Sequence, residues 1–284
     1  MKTAVVTGVS SGIGRAVARE LVKRKFRVFG SVRKEADGQA LRAELGEAFT
    51  PLIFDITDAG AVTEARDRVA DVLGDDTLTG LVNNAGIAVP GPLLHLPPDE
   101  FRHQLEVNTV SILSVTQVFA PLLGARRPMP ARPGRIVNIS SVGGRMVSPF
   151  LGAYAASKHA LEAISDAFRR ELMIYGIDVV VVEPGAVATA IWDKAEEEDR
   201  SIYADTIYGP VLEKFSDWFI ARGRAGFPPE KIARTVHRAL TVSKPRARYL
   251  LVPQRLTNWT LPRLMGDRLL DRAMAARLGL KRKN

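Results

Sequence analysis

Seven short apolar runs, each followed by a segment of helical period, constrain the fold of this chain more than any other feature. The runs are TAVVTG (3–8), RVFGSV (27–32), PLIFD (51–55), GLVNNAG (80–86), RIVNIS (135–140), DVVVVEPG (178–185) and RYLLVP (248–253). They are rich in Val, Ile and Leu without strict alternation, which is the pattern of strands covered on both faces. Between them apolar residues recur at helical spacing, as in Ile13, Val17 and Leu21, or Leu161, Ile164, Phe168 and Leu172. Strand–helix alternation over the whole length predicts an α/β fold: a doubly wound parallel sheet of about seven strands with helices on both faces.

No Ser/Gly linker and no internal repeat divides the chain, so a single domain is expected. Its main body spans 1–243, and residues 244–284 form the last strand and a basic extension packed on the same domain. GARRPMPARPG (124–134) reads as a surface loop before the fifth strand. Residues 186–228 break the alternation with WDKAEEEDRSIY and aromatic side chains. In an open α/β sheet, excursions after strand carboxyl ends cover the ligand crevice.

Composition excludes several classes. The 284 residues contain no cysteine and four histidines, none in a close pair at metal-ligand spacing, so disulfides, thiolate sites and a metal centre are not expected. The opening MKTAVVTG enters a strand at once, and runs such as VVVV at 179–182 are far shorter than the ~20 residues of a spanning helix. The expectation is a soluble protein of a reducing compartment, the cytoplasm. The net charge of +9 raises nucleic acid or an anionic membrane as partners. From Lys244 to Asn284, however, eleven Lys/Arg stand against two Asp/Glu, while residues 1–243 carry 29 of each sign. The basicity belongs to the tail, and no nucleic-acid partner is expected for the body.

TGVSSGIGR (7–15) follows the first run and opens a helix, with Gly8, Gly12 and Gly14 spaced GxxxGxG. Glycine lets a backbone turn sharply and approach a pyrophosphate, which then meets the amides and positive end of the helix. YAASK (154–158) places a tyrosine and a lysine four residues apart, hence on one face of a helix. A tyrosine in water titrates near ~10, and an adjacent ammonium is expected to lower that value and make the hydroxyl a usable acid/base. A bare surface Tyr–Lys pair would have the same spacing.

These motifs, with NNAG (83–86), Ser141 before the tyrosine and PGAVAT (184–189) after it, occur in the order of the short-chain dehydrogenase/reductase family, which the chain resembles from Thr3 to about Thr189. The resemblance implies a Rossmann-type sheet and a nicotinamide cofactor. It implies backbone contacts to the cofactor from Gly8, Ser10, Ser11, Gly12, Ile13 and Gly14. Asp55 and Ile56 would lie near the adenine, although Asp55 could instead cap the helix starting near Asp58. Asn83 and Ala85 are expected nearest the cofactor at the fourth strand, with Asn84 and Gly86 beside them. Pro184, Gly185, Val187 and Thr189 would hold the carboxamide side. Val32 stands where NAD-preferring relatives carry an Asp, and Arg33 and Lys34 follow it; a guanidinium suits a 2′-phosphate, so NADP (NADPH) is preferred and NAD remains possible.

By the same resemblance the catalytic set is Asn108, Ser141, Tyr154 and Lys158. Ser141 rather than Ser140 is chosen because it lies thirteen residues before Tyr154. Its hydroxyl would hold the substrate oxygen, Lys158 would also bond the nicotinamide ribose, and Asn108 would hold a water beside the lysine. The reaction implied is hydride exchange between cofactor and a carbonyl or alcohol, with no metal.

Candidate substrate walls are Ser141, Gly143, Met146, Phe150, Ile191 and Trp192, with Val147, Leu93 and Leu94; their apolar character suggests a lipophilic carbonyl/alcohol substrate. The pattern is similar to the retinol and hydroxysteroid dehydrogenase branch. Arg145 reads as solvated, or as a contact for an acidic substrate. Homodimers or homotetramers through helices near 100–123 and 154–175 are implied. Leu261, Leu264, Met265, Leu269 and Met274 among arginines suggest either a packed helix or peripheral membrane contact. The rival readings are a non-catalytic NADP(H) sensor with a reductase fold, a nucleic-acid-binding protein and a sugar-nucleotide epimerase or dehydratase.

Overall fold

A computed structural model describes residues 1–197 and 199–280 of the chain. Along it run β1 (Thr3–Val6), α1 (Gly12–Lys23), β2 (Arg27–Val32), α2 (Glu35–Leu45), β3 (Phe49–Ile53), α3 (Ala59–Leu73), β4 (Gly80–Asn83), α4 (Pro98–Leu105) and α5 (Ser111–Leu123). There follow β5 (Arg135–Ile139), α6 (Gly152–Glu171), β6 (Asp178–Pro184), α7 (Ile191–Glu197), α8 (Gly209–Arg224), α9 (Pro229–Thr241), β7 (Arg248–Leu251), α10 (Leu261–Leu264) and α11 (Asp267–Leu278). All seven apolar runs contain strands. They form one sheet in the order β3-β2-β1-β4-β5-β6-β7, and every pairing is parallel.

Alternation of side chains across the sheet explains why the strands read as continuous apolar runs. In β1, Ala4 and Val6 enter the core under α1, α2 and α9, whereas Val5 enters the core on the opposite face with Val62 of α3 and Phe119 of α5. In β5, Val137 and Ile136 divide in the same way. A third cluster lies outside the sheet: Phe150, Tyr203, Leu212 and Phe215 gather with Leu278, so the excursion after β6 and the end of α11 share one small core.

The strand order reverses between β1 and β4, and there the carboxyl ends diverge into a crevice. Residues 124–134 hold no helix or strand, as expected of a loop. Among the described residues, Pro98–Leu123 alone is long and apolar enough to cross a membrane, and half of its most apolar window is buried in the protein. Val115, Phe119 and Leu122 on this stretch pack against the sheet. Residues 281–284, which hold part of the tail charge, lie outside the described residues.

Candidate active site

The turn after β1 is set by backbone contacts. Gly8 adopts φ +69°, and a Cβ there would stand 2.8 Å from Ala85 Cα, so the turn packs directly on the residues after β4. Asn84 Nδ2 donates to the carbonyls of Thr7 (2.9 Å) and Gly8 (3.0 Å). Thr7 Oγ1 accepts from the amides of Asn84 and Ala85 at 2.9 and 3.0 Å. At Gly12, φ is +56° and a Cβ would lie 3.4 Å from Thr189, which brings the segment after β6 against the glycine turn. Ser11 N-caps α1 but makes no side-chain capping bond; the first-turn amides keep donor capacity for an anion. Ser10 and Ser11 are exposed, and Ile13 is half-buried against the core.

One cofactor-side expectation, for Asn83, and the capping alternative for Asp55 need correction. Asn83 does not face the crevice: it is buried and donates to Thr116 Oγ1 (3.1 Å) and Asn138 Oδ1 (2.9 Å), because the odd position at the end of β4 points into the sheet's far side. Asp55 does not cap α3, since Asp58 does so by accepting from the Ala61 amide. Asp55 instead accepts from the amide and hydroxyl of Thr57 at 2.9 and 2.8 Å, with Ile56 half-buried between them. Burial pushes the Asp55 carboxyl up, but the Thr57 bonds and the charge of Arg33 together hold it below the ordinary value. Arg33 and Lys34 follow buried Val32 and are exposed.

On the other side of the crevice, Ser141, Tyr154 and Lys158 come together. Ser141 follows β5, and a Cβ on Gly143 would lie 3.3 Å from its Oγ, between it and Tyr154. Its Oγ also accepts from the Gly143 amide at 3.0 Å, and a Cβ on Gly143 would touch the Tyr154 ring at 3.1 Å. The neighbouring Ser140 Oγ is buried without a hydrogen-bond partner. Lys158 is buried, donates to the Ile139 carbonyl at 3.0 Å and lies 5.9 Å from the Tyr154 ring centroid. Asn108 sits in a π-helical turn, Glu106–Val110, between α4 and α5. Fully buried, it donates to the Ile87 carbonyl (2.9 Å) and Ser157 Oγ (3.1 Å) and accepts from the Ile87 amide (2.9 Å). It thereby clamps the loop after β4 to α6. A Cβ on Gly86 would lie 3.0 Å from Asn108 Oδ1 and 3.8 Å from Lys158 Nζ.

The electrostatics differ from the sequence expectation. Burial pushes the Tyr154 hydroxyl up, and the Ser141 hydroxyl opposes this only in part. The phenol therefore keeps its proton at neutral pH and can act as an acid. The ammonium does not dominate because both groups leave water together. Burial lowers Lys158 to about 8, and Glu162 pulls it back up.

Glu162 was missed in the sequence, although it extends the Tyr154–Lys158 spacing by one more turn. It is buried and accepts from Arg248 Nε at 3.0 Å. Arg248 also bonds Asp166 (2.9 Å) and lies 3.5 Å from Glu183, while Arg145 bonds Glu183 at 3.1 Å. Arg145 is thus paired rather than free for an acidic substrate, although its side chain stays 32% exposed. Arg169 bonds Asp166 at 3.1 Å as well, so three carboxylates meet three guanidiniums, and Glu162 also acts on the ammonium of Lys158. The cluster ties the Ser141 turn, α6, the end of β6 and β7 into one body.

Pro184 ends β6 and Gly185 donates to the Leu251 carbonyl at 2.8 Å. Val187 is buried, and its carbonyl accepts from Trp192 Nε1 at 2.7 Å. Trp192 is therefore pinned, and its ring packs on Phe219 with centroids 5.2 Å apart. Phe150 is also not an open wall: it is buried against Phe215, centroids 5.3 Å apart, because the aromatic cover needs a core of its own. Met146 is half-buried and Ile191 and Val147 are exposed. Leu93 is exposed yet packs on Gly152, two residues before Tyr154.

Comparisons with known proteins place the chain in a family. The family pattern described as short chain dehydrogenase matches residues 2–200. An NADPH-dependent 3-dehydrocapnine reductase of Ornithobacterium rhinotracheale is 42% identical over 96% of this chain and 95% of its own length. Retinol dehydrogenase 16 of Mus musculus is 34% identical, over 87% and 80% of the two chains. A short-chain dehydrogenase structure from Streptomyces avermitilis superposes with TM-score 0.75 at 27% identity, over 97% and 95% of the two chains. This chain belongs to the short chain dehydrogenase family and is a dehydrogenase/reductase.

Proposed function

We propose that the chain interconverts a ketone or aldehyde and an alcohol on a lipophilic substrate, using NADP(H), with Tyr154 as acid/base. The observation that carries this reading is the convergence of Ser141 and Tyr154 on Gly143, with buried Lys158 5.9 Å from the Tyr154 ring centroid. It lies at the sheet edge where the glycine turn and Thr189 meet. The residues fit a dinucleotide: side chains at Gly8 and Gly12 would fill the cradle, and the Ser11 cap leaves amides free for a pyrophosphate.

A nicotinamide bound there supplies the hydride. Tyr154, protonated at neutral pH, gives its proton to the carbonyl oxygen, and Ser141 holds that oxygen with a second hydrogen bond. The Lys158 ammonium stabilises the phenolate left behind. Asn108 fixes the loop that ends in Gly86 against α6, keeping Lys158 placed. Ser10, Ser11, Ile13, Asn84 and Ala85 line the pyrophosphate side; Asp55 and Ile56 lie toward the adenine, and Pro184, Gly185, Val187 and Thr189 toward the carboxamide. Exposed Arg33 and Lys34 suit a 2′-phosphate, and the NADPH-dependent relative supports that preference. Met146, Leu93, Val147 and Ile191 support an apolar substrate. The same reading takes the protein as a cytoplasmic homodimer or homotetramer joined through α5 and α6.

The test follows oxidation of NADPH and of NADH by purified protein across ketones and aldehydes graded in size and polarity. 3-Dehydrocapnine is the first substrate to try, with retinol in the reverse direction. Turnover that favours NADPH and rises with lipophilic bulk is expected. NADPH binding with no turnover on any of them would favour the sensor reading.

A further inference from the structure

We propose that the carboxyl edge of the sheet, together with the arm from Gln254 to Leu280, docks on an anionic lipid surface. All seven strands run parallel, so every connection that leaves a strand end emerges at the edge that holds Ser141 and Tyr154. The arm leaves β7 at this edge, and Arg263 on it lines one cavity with Gly144, Arg145, His159, Glu162 and Arg248.

The arm is fastened at both ends. Asn258 Nδ2 donates to the Pro253 carbonyl at 2.7 Å, and Leu278 is buried in the cluster around Phe215. Arg277 stacks 4.5 Å from the Trp218 ring centroid. Between these anchors Leu256, Leu261, Leu264 and Leu269 remain exposed, Leu264 by 78%. Arg255, Arg263, Arg268 and Arg272 are exposed among them. The other excursions from this edge also present apolar side chains: Leu94, 77% exposed, after β4; Val147 after β5; and Ile202 and Ile207 after β6. An edge rimmed by exposed leucines and isoleucines marks an interaction surface rather than scattered exposure.

Charge chooses the occupant. From Gln254 to Leu280 five arginines stand against Asp267 and Asp271, so the arm carries a net charge of +3. A second copy meeting it across a two-fold axis would set arm against like-charged arm. Nucleic acid would neutralise the arginines but leave the leucines in water. Anionic lipid accepts both, with the apolar side chains at the acyl boundary and the guanidiniums among headgroups. The surface stands independently of the carbonyl chemistry; where that chemistry holds, the crevice opens toward substrate dissolved in lipid.

Full-length protein would be sedimented with vesicles of phosphatidylcholine alone and of phosphatidylcholine containing about one-third phosphatidylglycerol. Pelleting with the anionic vesicles, weakened by salt, is expected, with little on the neutral ones. Leu261→Gln/Leu264→Gln should cut the bound fraction about tenfold with circular dichroism and NADPH affinity unchanged. Arg263→Gln/Arg268→Gln should cut binding and flatten its salt dependence. Absence of pelleting with anionic vesicles would overturn the proposal. So would light scattering showing that the leucine variant splits an oligomer while vesicle binding persists; the arm would then be a self-interface.

Discussion

Gly14 and Gly223 both lack room for a methyl group, and what fills the space differs. At Gly14 a Cβ would overlap the Gly8 carbonyl oxygen, with Asn84 Nδ2 at 2.5 Å. At Gly223 the obstacle is the Trp192 ring. The cofactor side of the crevice is therefore shaped by main chain, which cannot give way without undoing the turn. The excursion after β6 is shaped by side chains, and a methyl at Gly223 would press on the Trp192 ring, held by the Val187 carbonyl and Phe219, while the glycine turn stays in place. One region demands particular residues at particular spacings, and the other demands only bulk.

The same substitution at the two sites tests that contrast. Gly14→Ala should be the most damaging: overpacking of about 1–3 kcal/mol falls on the turn itself, lowering the melting temperature and weakening NADPH at least tenfold by calorimetry. Arg33→Ala should weaken NADPH by about tenfold or more while leaving NADH unchanged, the size of one lost charge-assisted bond. An unchanged NADPH dissociation constant would remove Arg33 from the phosphate. Gly223→Ala should raise KM for the carbonyl substrate a few-fold, with NADPH affinity within about twofold of the parent. Comparable loss of NADPH affinity at both glycines would dissolve the distinction between the regions.

A smaller effect concerns the ionic cluster that joins the two sides. Lys158 carries its charge below about 8, so activity that needs the ammonium falls as pH rises through that value. Glu162 raises it, and Arg145, Arg248, Asp166, Glu183 and His159 surround the same cavity or pair within it. Glu162→Gln should move the alkaline limb of kcat/KM to lower pH, with rates at mildly acidic pH little altered. A limb that stays in place would detach Glu162 from Lys158.

The contrast between regions also explains what was legible in the sequence. The strands stood out because burial on both faces leaves few polar residues in them, and the glycine turn because its backbone excludes other residues. The Tyr154–Lys158 pair was legible from its spacing on one helix face, whereas Ser141 was named only through the family resemblance. The direction of Asn83 was not legible, since it depends on which side of the sheet the last strand position faces. Phe150 and Trp192 were read as walls because their bulk was visible and their packing on Phe215 and Phe219 was not. The Tyr154 shift was assigned the wrong sign because a charged neighbour can be read from spacing, whereas loss of water around both groups cannot. Arg145 and Glu183 lie 38 residues apart in the chain, and only the parallel sheet brings them together.

The central claim is that Tyr154, beside Ser141 and backed by Lys158, moves the proton while the rest of the crevice holds the cofactor. Parallel measurement of NADPH affinity and of kcat for the parent and Tyr154→Phe tests it most directly. The account predicts an unchanged dissociation constant and a kcat lower by about 10²–10⁴-fold, the span of a lost general acid. Retained turnover in the variant, with NADPH still bound, would contradict it.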